Sequence, residues 1–596
     1  MLPLKNTRNP AGRVLYSSDM KQKRKTFCTE NTLYYGDNLD IMQRYLPDDS
    51  VDLVYADPPF KSNQNYNVLF QEKDGSRAAS QILAFEDTWT WGQEDESVFA
   101  DLVTAGGKVA DVLQAFRQFI GPCDMLAYLV MMAPRLVECR RVLKKSGSMY
   151  LHCDPAASHY LKLLMDAVFG PANFRTEIVW KRSSAHSDAK QGRAQHGRIH
   201  DVILFYTKSD EWFWNQVNLV HGEEYVATKY PYTEEGTGRR YGLWDMSGPG
   251  GAAKGNPSYE VMGVTRFWRY SQDKMSEMIK QGLVIQPRPG AVPRQKRYLD
   301  ESAGVPLQDI WSDIPPINSQ AAERLGYPTQ KPVALLERII RSSCPENGVV
   351  LDPFCGCGTT IVAAQTQGRS WVGIDITHLA ITLIKQRLKD SFGVGALVLS
   401  AMSKKDEAAK VAEGPAEYGE PTKRPFCVMG EPSSVPDAAA LAASDPYQFQ
   451  WWALGLVGAR PAEGKKGADK GIDGKIVFQG DNTGKFETVI LSVKAGHVTA
   501  NHVRDLRGVV EREKAAIGVL ISMEDFTGPM QTEAVTAGFC ESKTWGRKYP
   551  KIQLLTVADL LAGKQIDMPP VKQVGATFKK APKASAPKAE QSELNV

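Results

Sequence analysis

No run of apolar residues in this chain approaches the ~20 that a helix needs to cross a bilayer, and its first thirty residues are polar and basic, with no apolar signal region. A membrane-spanning or secreted protein is therefore not expected, and a cytoplasmic one is. Cysteine is sparse: nine in 596 residues, scattered and odd in number, without the spacing of a disulfide framework, as in a reducing compartment. The only tight pair, Cys355-Gly356-Cys357, is not followed by a second pair at zinc spacing, which disfavours a structural metal. A dominant charge is missing too. The net charge of +4 neither demands nor excludes nucleic acid, so basic surface has to be local. Two clusters stand out, Lys21, Lys23, Arg24 and Lys25, then Arg288, Arg294, Lys296 and Arg297. There is no internal repeat.

What is present is an ordinary soluble composition, 42% hydrophobic and 23% charged, on a chain too long for one core. Residues 1–30 read as a basic, loosely ordered start. Strand–helix–strand signals follow: Thr32 to Asp37, Asn38 to Leu46, Val51 to Ala56. Residues 61–100, rich in Asn, Gln and aromatics, are expected to form a long loop over a site. Residues 108–145 are expected to be helical, and strands are expected at Met149–His152, Glu177–Trp180 and Val202–Tyr206. These complete a catalytic half over 31–207. Residues 208–320 change character, with Gly, Pro, Arg and aromatics in irregular order, which suits contact with phosphates and bases. Regular α/β signals resume over 321–398, with a helix at Val333–Ser343 and strands at Val349–Leu351 and Trp371–Ile374. A Lys, Glu, Ala and Pro-rich linker is expected over 399–435, a second domain over 436–568, and a disordered tail over 569–596.

Two stretches carry chemistry. Val54-Tyr55-Ala56-Asp57-Pro58-Pro59-Phe60 reads as a buried strand stopped by two prolines, leaving an acid, a fixed carbonyl and an aromatic at its carboxyl end. Open α/β sheets build their sites there. Asp57 and the Pro58 carbonyl can accept the two hydrogens of an exocyclic amine, and Phe60 offers a face to a planar ring. The second stretch is Asp352-Pro353-Phe354-Cys355-Gly356-Cys357-Gly358-Thr359-Thr360, a glycine turn between strand and helix. Asp375 ends the next strand roughly 20 residues on, the separation at which an acid bonds a ribose hydroxyl. Without Gly-Lys-Ser or Gly-Lys-Thr, a triphosphate cradle is disfavoured. A ribose-bearing ligand with a cationic tail fits better, as S-adenosylmethionine does.

The Asp352–Thr360 stretch resembles motif I of the S-adenosylmethionine-dependent amino-methyltransferases of DNA. Asp57-Pro58-Pro59-Phe60 resembles their (Asp/Asn/Ser)-Pro-Pro-aromatic motif IV. Tyr327-Pro328-Thr329-Gln330-Lys331-Pro332 resembles motif X, usually His-Pro-Thr-Gln-Lys-Pro, with Tyr327 in place of the histidine. The order, catalytic motif before cofactor loop with the irregular module between, is like the β class, and the resemblance covers roughly residues 30–395. It implies a Rossmann-like class I methyltransferase fold with circularly permuted motifs and a target-recognition module at 208–320. Double-stranded DNA is the implied partner, with a homodimer left open. Asp57, Pro58, Pro59 and Phe60 would hold a flipped base. Asp352, Phe354, Gly356, Gly358 and Thr359 would line the cofactor, Asp375 would hold its ribose, Asp37 would meet its adenine, and Thr329 and Lys331 would lie near its methionine portion. An Asp in motif IV favours N6 of adenine over N4 of cytosine.

The second domain carries Gly471-Ile472-Asp473-Gly474 and Ile490-Leu491-Ser492-Val493-Lys494, which resemble the Mrr-type PD-(D/E)XK endonucleases. Asp473 would then be a Mg2+ ligand and Lys494 the catalytic lysine of an α/β nuclease-like domain. Ser492 and Gln450 stand where carboxylates are usual, which weakens a metal site. Three activities remain: methylation alone, combined restriction and modification, or a DNA-binding regulator with an inactive core.

Overall fold

The Val51–Ala56 strand is buried at every position and lies near the middle of a ten-stranded sheet. Its near-continuous apolar run is what a strand covered on both faces requires. Its one charged residue, Asp52, is satisfied by Lys144 Nζ at 2.7 Å and the Val349 amide at 2.8 Å. The computed structural model describes residues 31–59, 65–71, 77–86, 91–183, 196–318, 321–325, 327, 329–399, 426–462, 471–479, 486–542, 547–569 and 581–583.

The sheet runs in the order Ile310–Trp311, Phe174–Lys181, His200–Thr207, Leu143–Cys153, Val51–Ala56, Val349–Asp352, Ser370–Asp375, Thr32–Tyr35, Phe426–Met429, Ala396–Leu399. Every neighbouring pair is parallel except the two made by His200–Thr207. The late strands Val349–Asp352 and Ser370–Asp375 are thus inserted side by side between two early ones, Val51–Ala56 and Thr32–Tyr35, with Val54 opposite Leu351. Helices Asn38–Tyr45 and Asp124–Val142 pack around a core that includes Met42, Leu126, Leu129 and Leu136.

Several expected boundaries move. Residues 61–100 are not one long loop. They contain a hairpin of Asn65–Gln71 against Arg77–Glu86, and a helix from Gln93 to Ala105. The single helical stretch of 108–145 is two helices, Gly107–Ile120 and Asp124–Val142, because Gly121 takes φ +72° and Pro122 follows it. The expected linker contains a buried strand, Phe426–Met429, which pairs with Thr32–Tyr35 and Ala396–Leu399. Residues 1–30 lie outside the described residues, as does most of 569–596. Of that tail, Ala581 is buried and its amide donates to Asp390.

The chain divides into two compact units, one of residues 1–215 and 309–585, the other built on Gln216–Gln308. The second contains a four-stranded sheet and a core of Met246, Val261, Trp268, Met275, Met278 and Val284. Along its strand Arg294–Tyr298, Arg294 and Arg297 are exposed while Lys296 and Tyr298 are buried. Lys296 turns inward between the rings of Tyr241 and Tyr298 and pairs with Glu234. It is therefore a structural member of the basic cluster.

Within the first unit, residues from 435 onward form a five-stranded sheet, Arg460–Pro461, Gly474–Gln479, Phe486–Lys494, Ile517–Ser522 and Ile552–Thr556, with its own core around Phe449, Phe478, Val489 and Val519. Among the described residues no helix is long and apolar enough to cross a membrane.

Candidate cofactor and catalytic site

Four parallel strands deliver their carboxyl ends to one edge of the sheet. Asp57 follows the first, Asp352 ends the second, Asp375 ends the third, and Gly36-Asp37 follow the fourth. The segments that the sequence separates by some 300 residues are adjacent because Val349–Asp352 pairs directly with Val51–Ala56.

The glycine loop is shaped by backbone that only glycine adopts without strain. Gly356 has φ +48° and Gly358 φ +74°. A Cβ at Gly356 would come within 3.3 Å of the Tyr327 ring, and one at Gly358 within 2.7 Å of Ile384 Cγ1. The Gly356 amide donates to Asp375 Oδ2 at 2.9 Å, tying loop to acid. Asp375 Oδ1 accepts from the amide and hydroxyl of Thr377 at 2.9 and 2.8 Å. Thr359 opens the Thr359–Thr366 helix and is buried, its hydroxyl bonded by Arg387 and near Cys357 Sγ.

Burial sets the electrostatics. Asp352, 3% exposed, is pushed up to about 7 by desolvation, against the pull of the Thr360 and Phe354 hydrogen bonds. The enclosed carboxyl of Asp375 is pushed up to about 6, again by burial, with the Thr377 and Gly356 donors opposing. Burial also raises Cys355 and Cys357, keeping both as thiols rather than metal-binding thiolates.

Asp57 stands where the sequence puts it, and its Oδ2 lies 2.6 Å from Lys331 Nζ. The expected methionine-side lysine is therefore brought against the expected catalytic acid. Pro58 and Pro59 follow in order, with Pro58 buried, while Phe60 and Pro328 lie outside the described residues. Thr329 is half-buried two residues before Lys331. The motif's Gln330 clamps its own loop, donating to the Glu323 carbonyl at 2.6 Å and accepting from the Leu325 amide at 2.9 Å.

Asp37 carries more structure than its assignment implied. One oxygen caps the Asn38–Tyr45 helix through the amides of Leu39 and Asp40, and the other pairs with Arg135 at 2.6 Å. Arg135 also holds Asn38, whose amide nitrogen donates to the Pro353 carbonyl at 2.7 Å. Arg135 lies mid-helix in an apolar stretch, and only its charge there marked it. A second unforeseen group is buried beside the site: Tyr55 Oη to His152 Nδ1 at 2.8 Å, then His152 Nε2 to Asp201 at 3.2 Å, with Arg182 on Asp201 at 2.9 Å. His152 thus satisfies hydrogen bonds, as an isolated core histidine does.

The C-terminal part closes the back of this region. Trp451 packs against a cluster of Leu325, Tyr327, Cys357, Leu379 and Leu383, which includes the Tyr327 whose ring lies near Gly356. Gln448 accepts the His378 amide at 3.1 Å, and Glu431 pairs with Lys385 at 2.7 Å. On the same helix Gln450 reaches Asp473. The carboxylate of Asp473 is enclosed by donors: Gln450 Nε2 at 2.9 Å, Ser492 Oγ at 3.1 Å, the Val493 amide at 2.7 Å and Lys494 Nζ at 3.9 Å. Among the described residues no group of three or more metal-ligating side chains occurs. One carboxylate walled by an amide, a hydroxyl and an ammonium leaves most of a divalent charge uncompensated, so the donor set does not fit Mg2+.

A glycine loop, a following acid and an Asp-Pro-Pro turn thus share one edge of the sheet, at the carboxyl ends of neighbouring parallel strands. The chain belongs to the N6_N4_Mtase family, DNA methylase, which matches residues 51–386. Residues 447–562 are similar to the family described as NACHT-associated inactive Restriction Endonuclease 1. Type II methyltransferase M.EcaI of Enterobacter cloacae is 29% identical over 44% of this chain and 57% of its own length. The StyLTI Mod subunit of a Type III restriction-modification enzyme, from Salmonella typhimurium, is 27% identical over 56% of this chain and 50% of its own. DNA adenine methyltransferase YhdJ of Escherichia coli is 25% identical over 60% and 82%. The chain thus spans about half the length of the first two.

Proposed function

We propose that this chain transfers a methyl group from S-adenosylmethionine to the exocyclic amine of a base turned out of duplex DNA, N6 of adenine in preference to N4 of cytosine. The observation that carries this reading is the meeting of Asp57 with the Asp352–Thr359 loop and Asp375 on one sheet edge, in a chain of the DNA methylase family. The adenine preference rests on Asp57 in the motif and on the name of the YhdJ relative.

The residues fit the cofactor. Gly356 and Gly358 let the loop take a left-handed backbone close against Tyr327 and Ile384, as a tight cofactor turn needs, and buried Asp352 is a carboxyl that a cationic ligand would stabilise in its charged form. Bound there, S-adenosylmethionine supplies a sulfonium methyl, an electrophile whose leaving group is a neutral thioether. Asp352, Phe354, Gly356 and Gly358 would line it, Thr329 would border it, and Asp375 would take the ribose with the capacity its present donors leave free. Asp37, already shared between a helix cap and Arg135, fixes the wall near the adenine rather than reading it. Thr359 supports the loop from inside.

A base inside the duplex is out of reach, so it has to be extruded. Asp57 and the Pro58 carbonyl accept its two amino hydrogens, which draws the nitrogen lone pair out of conjugation and aims it. Alignment of this kind supplies much of the rate. The 216–308 unit, with Arg294 and Arg297 exposed, is the part that contacts DNA in this reading. The domain after 435, built on a five-stranded sheet, serves in this reading as a buttress that does not cut.

The test is methyl transfer from labelled cofactor to duplex DNA, followed by nucleoside analysis. N6-methyladenine is expected. Asp57→Ala and Asp57→Asn should lose transfer while binding S-adenosylmethionine normally; an active Asp57→Ala chain would refute the assignment.

A further inference from the structure

We propose that Lys331 is a positioning residue for Asp57 and not a ligand of the cofactor's methionine portion. This rests on the methyl-transfer reading above. The ammonium lies 2.6 Å from Asp57 Oδ2, and Lys331 is only 9% exposed. Its backbone is held on both sides. Pro332 caps the Val333–Ser343 helix directly after it, and Gln330 directly before it is clamped to Glu323 and Leu325. Asp57 is equally fixed in its backbone, between a central strand and Pro58. What remains free in Asp57 is the torsion of its side chain, and the ammonium removes that freedom by engaging one oxygen. Among the described residues no hydrogen bond reaches Asp57 Oδ1. One oxygen is thus anchored and the other is presented to an incoming amine.

The alternative occupant for this ammonium is the carboxylate of a bound ligand. The site argues against it. Asp201, whose carboxyl burial pushes up and His152, Lys331 and Arg182 draw down, is a second anion that acts on the same charge. The ammonium of Lys331 is already paired by Asp57 within the chain itself. A third carboxylate there would be buried beside two like charges.

Three full-length variants, Lys331→Met, Lys331→Gln and Lys331→Arg, test this. Steady-state methyl transfer to mixed-sequence duplex DNA is read beside S-adenosylmethionine affinity from equilibrium dialysis. Removing the anchor in Lys331→Met should lower kcat on the order of 100-fold, the loss a misplaced reacting group brings. The cofactor dissociation constant should change less than about threefold, the mark of an interaction not made with the cofactor. Lys331→Arg should recover most of the rate. Lys331→Gln, which keeps a donor without the charge and guards against a misfolded Met variant, should fall between. Cofactor affinity that drops with the rate in Lys331→Met would make Lys331 a cofactor ligand and overturn the proposal, as would a Lys331→Met chain that matches the native one. A native chain that transfers no methyl group to any DNA would instead overturn the methyl-transfer reading, and this proposal with it.

Discussion

Gly358 gives the sharpest test of the cofactor loop. Its φ of +74° and ψ of 33° are left-handed, which costs an L side chain about 1–2 kcal/mol. A Cβ there would also stand 2.7 Å from Ile384 Cγ1 and 3.4 Å from both other branch carbons of that buried side chain. Overpacking of a filled core adds roughly 1–3 kcal/mol. Gly358→Ala should therefore cost about 2–5 kcal/mol, a large part of the ~5–15 kcal/mol that holds a typical domain together. Gly356→Ala is the control. Its φ is also positive, yet its Cβ would stop 3.3 Å from the edge of the Tyr327 ring, a much smaller overlap than at Gly358. Its cost should stay near the backbone penalty of about 1–2 kcal/mol. Denaturant unfolding compares the two, and Ile384→Ala in the Gly358→Ala background separates clash from backbone, because removing the branch should give a double-mutant coupling of the relieving sign. Gly358→Ala within 0.5 kcal/mol of native, or Gly356→Ala the more damaging of the two, would refute the reasoning.

Asp352 gives a pH signature. Its folded carboxyl ionises at about 7 where an unfolded one ionises near 3.9, so the ligand-free fold binds the extra proton and loses stability as pH rises between those values. A cationic ligand favours the ionised form, so affinity for S-adenosylmethionine should rise with pH through about 7, with protons released on binding. Calorimetry in two buffers of different ionisation enthalpy measures that release. Asp352→Asn should abolish it, and an affinity flat from pH 5.5 to 8 would contradict the assignment. For the C-terminal sheet, the donor-filled Asp473 predicts that unmethylated DNA stays intact after incubation with the protein and Mg2+, and that Asp473→Ala changes nothing in that assay. Discrete cleavage products that disappear in Asp473→Ala would reverse this.

Much of the site was legible in the chain. Val51–Ala56, Val333–Ser343 and the glycine loop fall within a residue or two of where apolar runs, proline and glycine put them, since those signals are local and the backbone obeys them. The hairpin of 65–86 was not legible, because its strand pairing is decided between strands and its composition resembles a loop. Nor was the split at Gly121, since apolar spacing continues on either side of it.

The sequence alone determined which residues could accept an amine and cradle a ribose-bearing ligand, because those capacities belong to residue types at short, fixed spacing. Only the tertiary structure decided their company: Lys331 on Asp57 across 274 residues, Arg135 on Asp37, and Trp451 against the cluster that holds Tyr327. Such contacts are made by strand order and helix docking, whose energies are spread over whole packed surfaces, and no short stretch of the chain encodes them.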